Sequence, residues 1–225
     1  MQTDTVPLIR VDSAVKTFTV RSRSLRRVKM IALNNVSLEI NRGETVGLVG
    51  ESGSGKSTLG RSILRLTTLD AGKILYEGQE IQHLSESQFR PLRRKLQMVF
   101  QNPLTSFNPM MTIEAALLDS MRLVTELSPS EKKQRVFQLL DQVELSERFA
   151  KLYPYEMSGG QLQRAALARA LAPDPDDRSP VRLEPQRHGY RIIVWNRHGI
   201  HWAQHFRCTR AVQRHEGRKL LQRSF

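Results

Sequence analysis

Residues 50–57 constrain the fold of this chain more than any other part of its sequence. They read GESGSGKS, which matches the pattern G-x-x-x-x-G-K-[ST], and they follow the glycine-bounded apolar run 45–49. The next stretch, Lys56 to Leu66, has leucine and isoleucine near helical spacing. A strand, a glycine-rich turn and a helix in this order suit nucleotide phosphates, because glycines let backbone N–H groups converge and the helix N-terminus adds partial positive charge. We therefore predict nucleotide binding at this loop.

The residues of the loop have distinct predicted roles. Backbone amides from Gly53 onward cradle the phosphates, the Lys56 ammonium bridges the terminal phosphates, and the Ser57 hydroxyl holds Mg²⁺. A chance glycine loop is the alternative, and the motif alone does not separate the different classes of nucleotide-binding protein. The predicted phosphate-contacting set is Gly50, Glu51, Ser52, Gly53, Ser54, Gly55, Lys56, Ser57 and Thr58.

The apolar pattern predicts an α/β fold around this loop. Residues 8–11 and 32–40 have the character of strands, and the run 45–49 is typical of a buried strand in a parallel sheet. The run 96–100 is a second candidate for a buried strand. Helical spacing dominates 112–152, where Ser128, Pro129 and Glu131 mark a helix start. A further helix is predicted from Gln161 to Ala172, opened by Ser158, Gly159 and Gly160.

Composition limits the location of the chain and the chemistry of its thiol. The sequence has no signal-peptide pattern and no apolar run near the length of about 20 residues that a membrane-spanning helix needs, so we expect a cytosolic chain. The single cysteine, Cys208, excludes an internal disulfide.

Three stretches beyond the loop resemble the ATP-binding subunits of ABC transporters, in particular those of the dipeptide, oligopeptide and nickel importers. Residues 157–161, MSGGQ, are similar to the signature L-S-G-G-Q of that family, with Met157 in place of leucine. The run 98–109, MVFQNPLTSFNP, resembles the peptide-importer branch, and Gln101 matches the glutamine that senses Mg²⁺ and the attacking water. Phe18 lies where the family keeps an aromatic that stacks on adenine, although a core or hairpin aromatic is the alternative. The resemblance covers about residues 7–176.

The resemblance implies a set of partners and a location. The signature, here Ser158, Gly159, Gly160 and Gln161, closes over ATP and Mg²⁺ held by the loop of a second ATP-binding subunit. Transmembrane permease subunits and a solute-binding protein complete such an importer, and the ATP-binding subunit lies peripherally on the cytoplasmic face of the inner membrane. A helix cap is the structural alternative for Ser158 and Gly160.

Residues 21–29, RSRSLRRVK, form a basic stretch between the two N-terminal strand candidates. We interpret it as a solvated hairpin loop, because no aromatic residues alternate with the charges. Contact with nucleic acid or with lipid headgroups is the alternative. Nucleic acid is not an expected partner of the chain.

The resemblance stops after Asp176. Family members continue there with an apolar strand that ends in Asp-Glu, whose carboxylates order Mg²⁺ and activate water. Here the sequence is DRSPVRLEP, and arginines and a proline do not suit a central buried strand. The Glu184-Pro185 pair is interpreted as coincidence, and His201 and His205 as tail residues rather than the late histidine of the family. A zinc site at His198, His201, His205 and Cys208 is disfavoured, because the spacing matches no common pattern.

Residues 178–225 differ in composition from the rest of the chain. They carry +9 of the formal net charge of +13, both tryptophans and five of the six histidines. A frameshift near codon 177 is our hypothesis for this change, and a genuine basic tail that binds nucleic acid is the competing explanation.

These observations predict a P-loop α/β fold of the ABC type with an antiparallel β portion and a helical subdomain at about 112–152, incomplete at its C-terminal side. The expected domains are 1–177, the nucleotide-binding domain, and 178–225, a basic tail that is out of frame or disordered. The expected function is ATP-driven import of peptides or nickel, in a truncated or inactive form. A non-catalytic nucleotide-binding remnant and a nucleic-acid-binding ATPase are the alternatives.

Overall fold

The computed structural model describes residues 6–21, 27–42, 44, 46–100, 102–173 and 191–194. Its strands are β1 (Ile9–Arg21), β2 (Arg27–Ile40), β3 (Ala71–Tyr76), β4 (Gln79–Glu80), β5 (Leu96–Val99) and β6 (Arg191–Val194). Its helices are α1 (Lys56–Ile63), α2 (Glu86–Phe89), α3 (Leu92–Lys95), α4 (Ile113–Ser120), α5 (Pro129–Gln142) and α6 (Gly159–Leu171). Three 3₁₀ turns, Pro103–Ser106, Glu147–Lys151 and Pro154–Glu156, connect the helical part.

Strands β1 to β4 form an antiparallel sheet in the order β2-β1-β3-β4. Inward-facing side chains such as Ile9, Val11 and Ile74 are almost completely buried, and they pack against Leu59 and Ile63 of α1. Both strands of the first hairpin are longer than the apolar alternation predicts, because backbone pairing continues through exposed polar residues out to Arg21 and Arg27. The predicted antiparallel portion is confirmed.

Helices α4, α5 and α6 form a second core. Leu117 and Met121 pack with Leu139, Leu140 and Val143, all of which are fully buried. Ser128 caps α5 in a capping box with Glu131, as the sequence predicts. The helical subdomain predicted over 112–152 is therefore present, and α6 packs against it.

The prediction of a strand at residues 45–49 is wrong for the part that the structure describes. Residues 46–49 have no strand conformation, and the Val49 side chain is 69% exposed. A strand of a parallel sheet is stable only between neighbouring strands. In the described part of the chain, β5 pairs only with β6, and this pairing is antiparallel.

Candidate functional site

The phosphate loop leads directly into α1, which begins at Lys56. Its cap residue Gly55 has φ 89° and supplies no side chain to the helix N-terminus. Gly55 carbonyl oxygen accepts a hydrogen bond from the Leu59 N–H at 2.9 Å, which starts the helical pattern. No side-chain oxygen caps this helix start, so its amide donors are left for an anion.

Close packing against β2 requires glycine at position 55. A Cβ atom there would lie 2.2 Å from the Ala32 carbonyl oxygen and 3.2 Å from Leu33 Cδ2. Gly53 also has a positive φ, 85°, but a Cβ there would meet no atom within 4 Å. Gly55 therefore fixes the loop on the sheet, and Gly53 leaves space above the loop.

The Lys56 side chain folds back over the loop. Its Nζ donates hydrogen bonds to the carbonyl oxygens of Gly50 and Glu51, both at 2.6 Å, and to Ser54 Oγ at 3.0 Å. The Ser54 N–H in turn donates to the Glu51 carbonyl oxygen at 3.2 Å. The ammonium group thus lies within the mouth of the loop, in the position from which a lysine reaches phosphate oxygens.

Phe18 lies on the sheet face that carries the loop. The register of the first hairpin pairs Phe18 with Met30 and Lys16 with Leu33, with an irregularity at Ala32. Because side chains alternate along β1, Lys16 and Phe18 share a face, and Leu33, the cross-strand partner of Lys16, is the side chain next to Gly55. Phe18 is half-buried, so its ring retains an accessible surface.

Asp70 holds the part of β1 that precedes Phe18. Its carboxylate accepts hydrogen bonds from Lys16 Nζ at 2.8 Å and from the Thr17 N–H at 2.7 Å. The hydrogen bond from Lys16 is the main cause that lowers the pKa of Asp70 below its ordinary value, and the Thr17 N–H contributes next. Lys16 Nζ also lies 5.6 Å from the centroid of the Phe18 ring. Sequence reasoning missed Asp70, whose only local signal is the turn before β3.

Ser158 begins the helix α6 and forms a capping box. Its Oγ accepts a hydrogen bond from the Gln161 N–H at 3.4 Å, and Gln161 Oε1 accepts one from the Ser158 N–H at 2.9 Å. Gly159 and Gly160 are exposed, and a Cβ atom at either would meet nothing within 4 Å. Ser158 is therefore the helix cap, whereas Gly160 lies inside the helix. The open surface at the two glycines leaves room for a second molecule.

The signature and the phosphate loop of this chain belong to different hydrophobic cores. Helix α6 packs in the helical core, whereas α1 packs on the antiparallel sheet. Gln101, the predicted water- and Mg²⁺-sensing residue, lies outside the described residues, as does Asp176. Within the described ranges, no group of three His, Cys, Asp or Glu side chains is arranged to hold a metal ion.

Arg94, in α3, contacts the chain just after α6 and the segment between α4 and α5. Its Nε donates to the Pro173 carbonyl oxygen at 3.0 Å, and its Nη1 lies 2.7 Å from Glu126 Oε1. The hydrogen bond from Arg94 is the main cause that lowers the pKa of Glu126. Sequence reasoning missed this contact as well, because it joins residues far apart in the chain.

No helix in the described part of the chain is long and apolar enough to cross a membrane.

Two of the curated relatives illustrate what this chain is similar to, and each matches about three quarters of it. A Brucella ovis protein named as an ATP-binding protein of peptide import is 43% identical over 170 residues, which are 76% of this chain and 52% of the relative. The glutathione import ATP-binding protein GsiA of Escherichia coli is 44% identical over 174 residues, 76% of this chain and 28% of that protein. The chain spans about half the length of the first relative and less of the second.

The fold and the family model agree with these relatives. The dimeric structure of MJ0796, a bacterial ABC transporter cassette, superposes with a TM-score of 0.64 at 33% identity, covering 75% of this chain and 71% of that one. The model of the family described as ABC transporter matches residues 33–176, more than half of the chain. The chain therefore belongs to the ABC transporter family.

Proposed function

We propose that this chain is the ATP-binding part of an ABC importer for peptides, and that it binds ATP without turning it over steadily. The observation that carries the proposal is the loop at 50–57, where the Lys56 ammonium, an uncapped helix start and the space above Gly53 converge. The names of the relatives support the importer class and peptide-like cargo, with nickel as the other solute class that the resemblance implies.

The described residues fit a nucleotide with its magnesium ion. Lys56 supplies the positive charge for the terminal phosphates, and the first amides of α1 supply donors. Ser57, half-buried in the first turn of α1, offers a hydroxyl ligand for Mg²⁺, which takes its other ligands from phosphates and water. Phe18 offers an aromatic surface for the base on the face that carries the loop.

A second ATP-binding subunit would complete the site. Gly159 and Gly160 present an open surface at the start of α6, in a different core from the loop. The dimeric form of the MJ0796 cassette supports pairing of two such chains. In such a pair we propose that the signature of one chain faces the loop of the other. Permease subunits and a solute-binding protein are the further partners that we propose.

The absence of turnover is proposed from the sequence after Asp176. General-base activation of water needs a carboxylate held at a defined position, and the stretch 177–185 supplies no apolar strand to hold one there. Translation of the other two reading frames past codon 176 tests the frameshift hypothesis. If neither frame encodes an apolar strand ending in Asp-Glu-Pro, the frameshift hypothesis is refuted.

The proposed function is tested with the full chain and two lysine variants. ATP with Mg²⁺ at about 100 times its Kd should stabilise the wild type by about 2.7 kcal/mol, measured as an upward shift in Tm. Lys56→Ala should abolish the shift. Lys73→Ala, which removes an equal charge from the exposed outer face of β3, should retain it.

Two outcomes would contradict the proposal. An unchanged Tm at saturating ATP, with the wild type folded, would refute nucleotide binding. Steady phosphate release by the wild type that disappears in Lys56→Ala would refute the absence of turnover.

A further inference from the structure

The tip of the first hairpin carries an uncompensated positive charge. Residues 13–38 contain six Lys or Arg residues and no Asp or Glu, and five of the six lie between positions 21 and 29. Lys16 is paired with Asp70 at 2.8 Å, but no carboxylate among the described residues lies within 4 Å of Arg27 or Lys29. The register pairs the backbone of Arg21 with that of Arg27, the last pair of the hairpin.

The same tip exposes aliphatic side chains. Val20 and Val28 are register partners and are 42% and 48% exposed. Met30 on the same face and Ile31 on the other are 51% and 61% exposed. Arg27 and Lys29 alternate with these residues along β2 and are exposed as well. Apolar and cationic groups therefore reach solvent side by side.

This combination favours a lipid surface over a nucleic acid. Proteins that bind single-stranded nucleic acids place aromatic side chains against the bases, and among the described residues of the tip the exposed apolar side chains are aliphatic. Anionic headgroups attract clusters of four to eight basic residues, and neighbouring apolar side chains then enter the boundary between headgroups and acyl chains. The sequence stretch 21–29 supplies five basic residues, and the described residues beside it supply the exposed apolar side chains.

We propose that the hairpin tip, defined as Val20, Arg27, Val28, Lys29 and Met30, docks on the surface of an anionic phospholipid bilayer. The anionic headgroups neutralise the charges of Arg27 and Lys29, and Val20 and Val28 lose exposed area at the headgroup boundary. This contact needs neither bound ATP nor a permease, so it is independent of the proposed function.

The test measures binding of the full chain to phosphatidylcholine vesicles with and without phosphatidylglycerol, by co-sedimentation over a salt series. Arg27→Gln combined with Lys29→Gln should weaken binding to the anionic vesicles about thirtyfold, since each basic residue near such a surface contributes roughly 1 kcal/mol. Arg122→Gln combined with Lys133→Gln removes the same charge from exposed positions on the helical part and should change binding by less than about twofold.

A second variant separates the apolar component from the charge. Val20→Ser combined with Val28→Ser keeps every charge and should weaken vesicle binding about threefold to fivefold through lost apolar burial. Each variant is first checked for wild-type circular dichroism, and if the serine pair fails to fold, the two charge variants still decide the outcome.

Two results would overturn the proposal. Equal losses in the hairpin and control charge variants would show that only the overall charge of the chain drives binding. Equal losses of affinity for vesicles and for duplex DNA in the hairpin charge variant, with no effect of the serine pair, would show a general polyanion site instead of a lipid surface.

Discussion

Substitution of Gly55 by alanine tests whether the phosphate loop is fixed on the sheet by close packing. At φ 89° an alanine costs about 1–2 kcal/mol of backbone strain. The new Cβ would lie 2.2 Å from the Ala32 carbonyl oxygen, a backbone atom that moves only with its strand. Relieving this overlap requires a shift of about 1 Å and adds about 1–3 kcal/mol. We expect a total loss of about 2–5 kcal/mol in the free energy of unfolding, measured by urea denaturation.

Gly53→Ala is the matched control for this substitution. Gly53 has nearly the same φ, 85°, but its Cβ would meet no atom within 4 Å, so only the backbone strain applies. The difference between the two variants therefore isolates the contact with Ala32. If Gly55→Ala unfolds at the same urea concentration as Gly53→Ala, the loop is not packed against β2 as described, and the reasoning fails.

Two further predictions concern long-range contacts of side chains, one at Asp70 and one at Arg94. Asp70→Asn should lower stability at neutral pH. Because the folded-state pKa of Asp70 is lowered, its contribution is present above its ordinary pKa and is lost as the pH falls through the lowered value, so the gap between wild type and variant should close in acid. A gap that is constant across urea titrations at several pH values would contradict this. Arg94→Ala should cost about 1–2 kcal/mol through its bond to Pro173, whereas Arg122→Ala, in an exposed ion pair, should cost less than about 0.5 kcal/mol. Equal urea midpoints would refute the role of Arg94.

Local signals made most of the elements predictable. Ser128 and Ser158 mark helix starts because their caps involve residues only three positions away. The apolar run at 96–99 formed the predicted strand, and its side chains Leu96, Met98 and Val99 are buried. The loop at 50–57 was recognisable because its glycines and Lys56 lie at fixed spacing.

Features that depend on distant residues were not predictable in this way. The apolar run at 46–49 resembles a buried strand. A parallel strand needs a strand paired on each side, and among the described residues no strand pairs with 46–49. Asp70 stabilises β1 through Thr17, 53 residues earlier, and Arg94 reaches Pro173, 79 residues later. The apolar spacing within a short stretch of sequence gives no information about contacts between residues so far apart.

The capping box leaves the Ser158 hydroxyl able both to cap α6 and to donate a hydrogen bond to an anion. A hydroxyl has one hydrogen to donate and two lone pairs. Since Ser158 Oγ accepts from the Gln161 N–H, its own hydrogen remains able to point outward to an anion on a facing molecule. An aspartate would cap the helix equally well but would present only negative charge there. Ser158→Asp therefore separates the two roles, because it preserves the fold of α6 and repels a phosphate, whereas threonine preserves both.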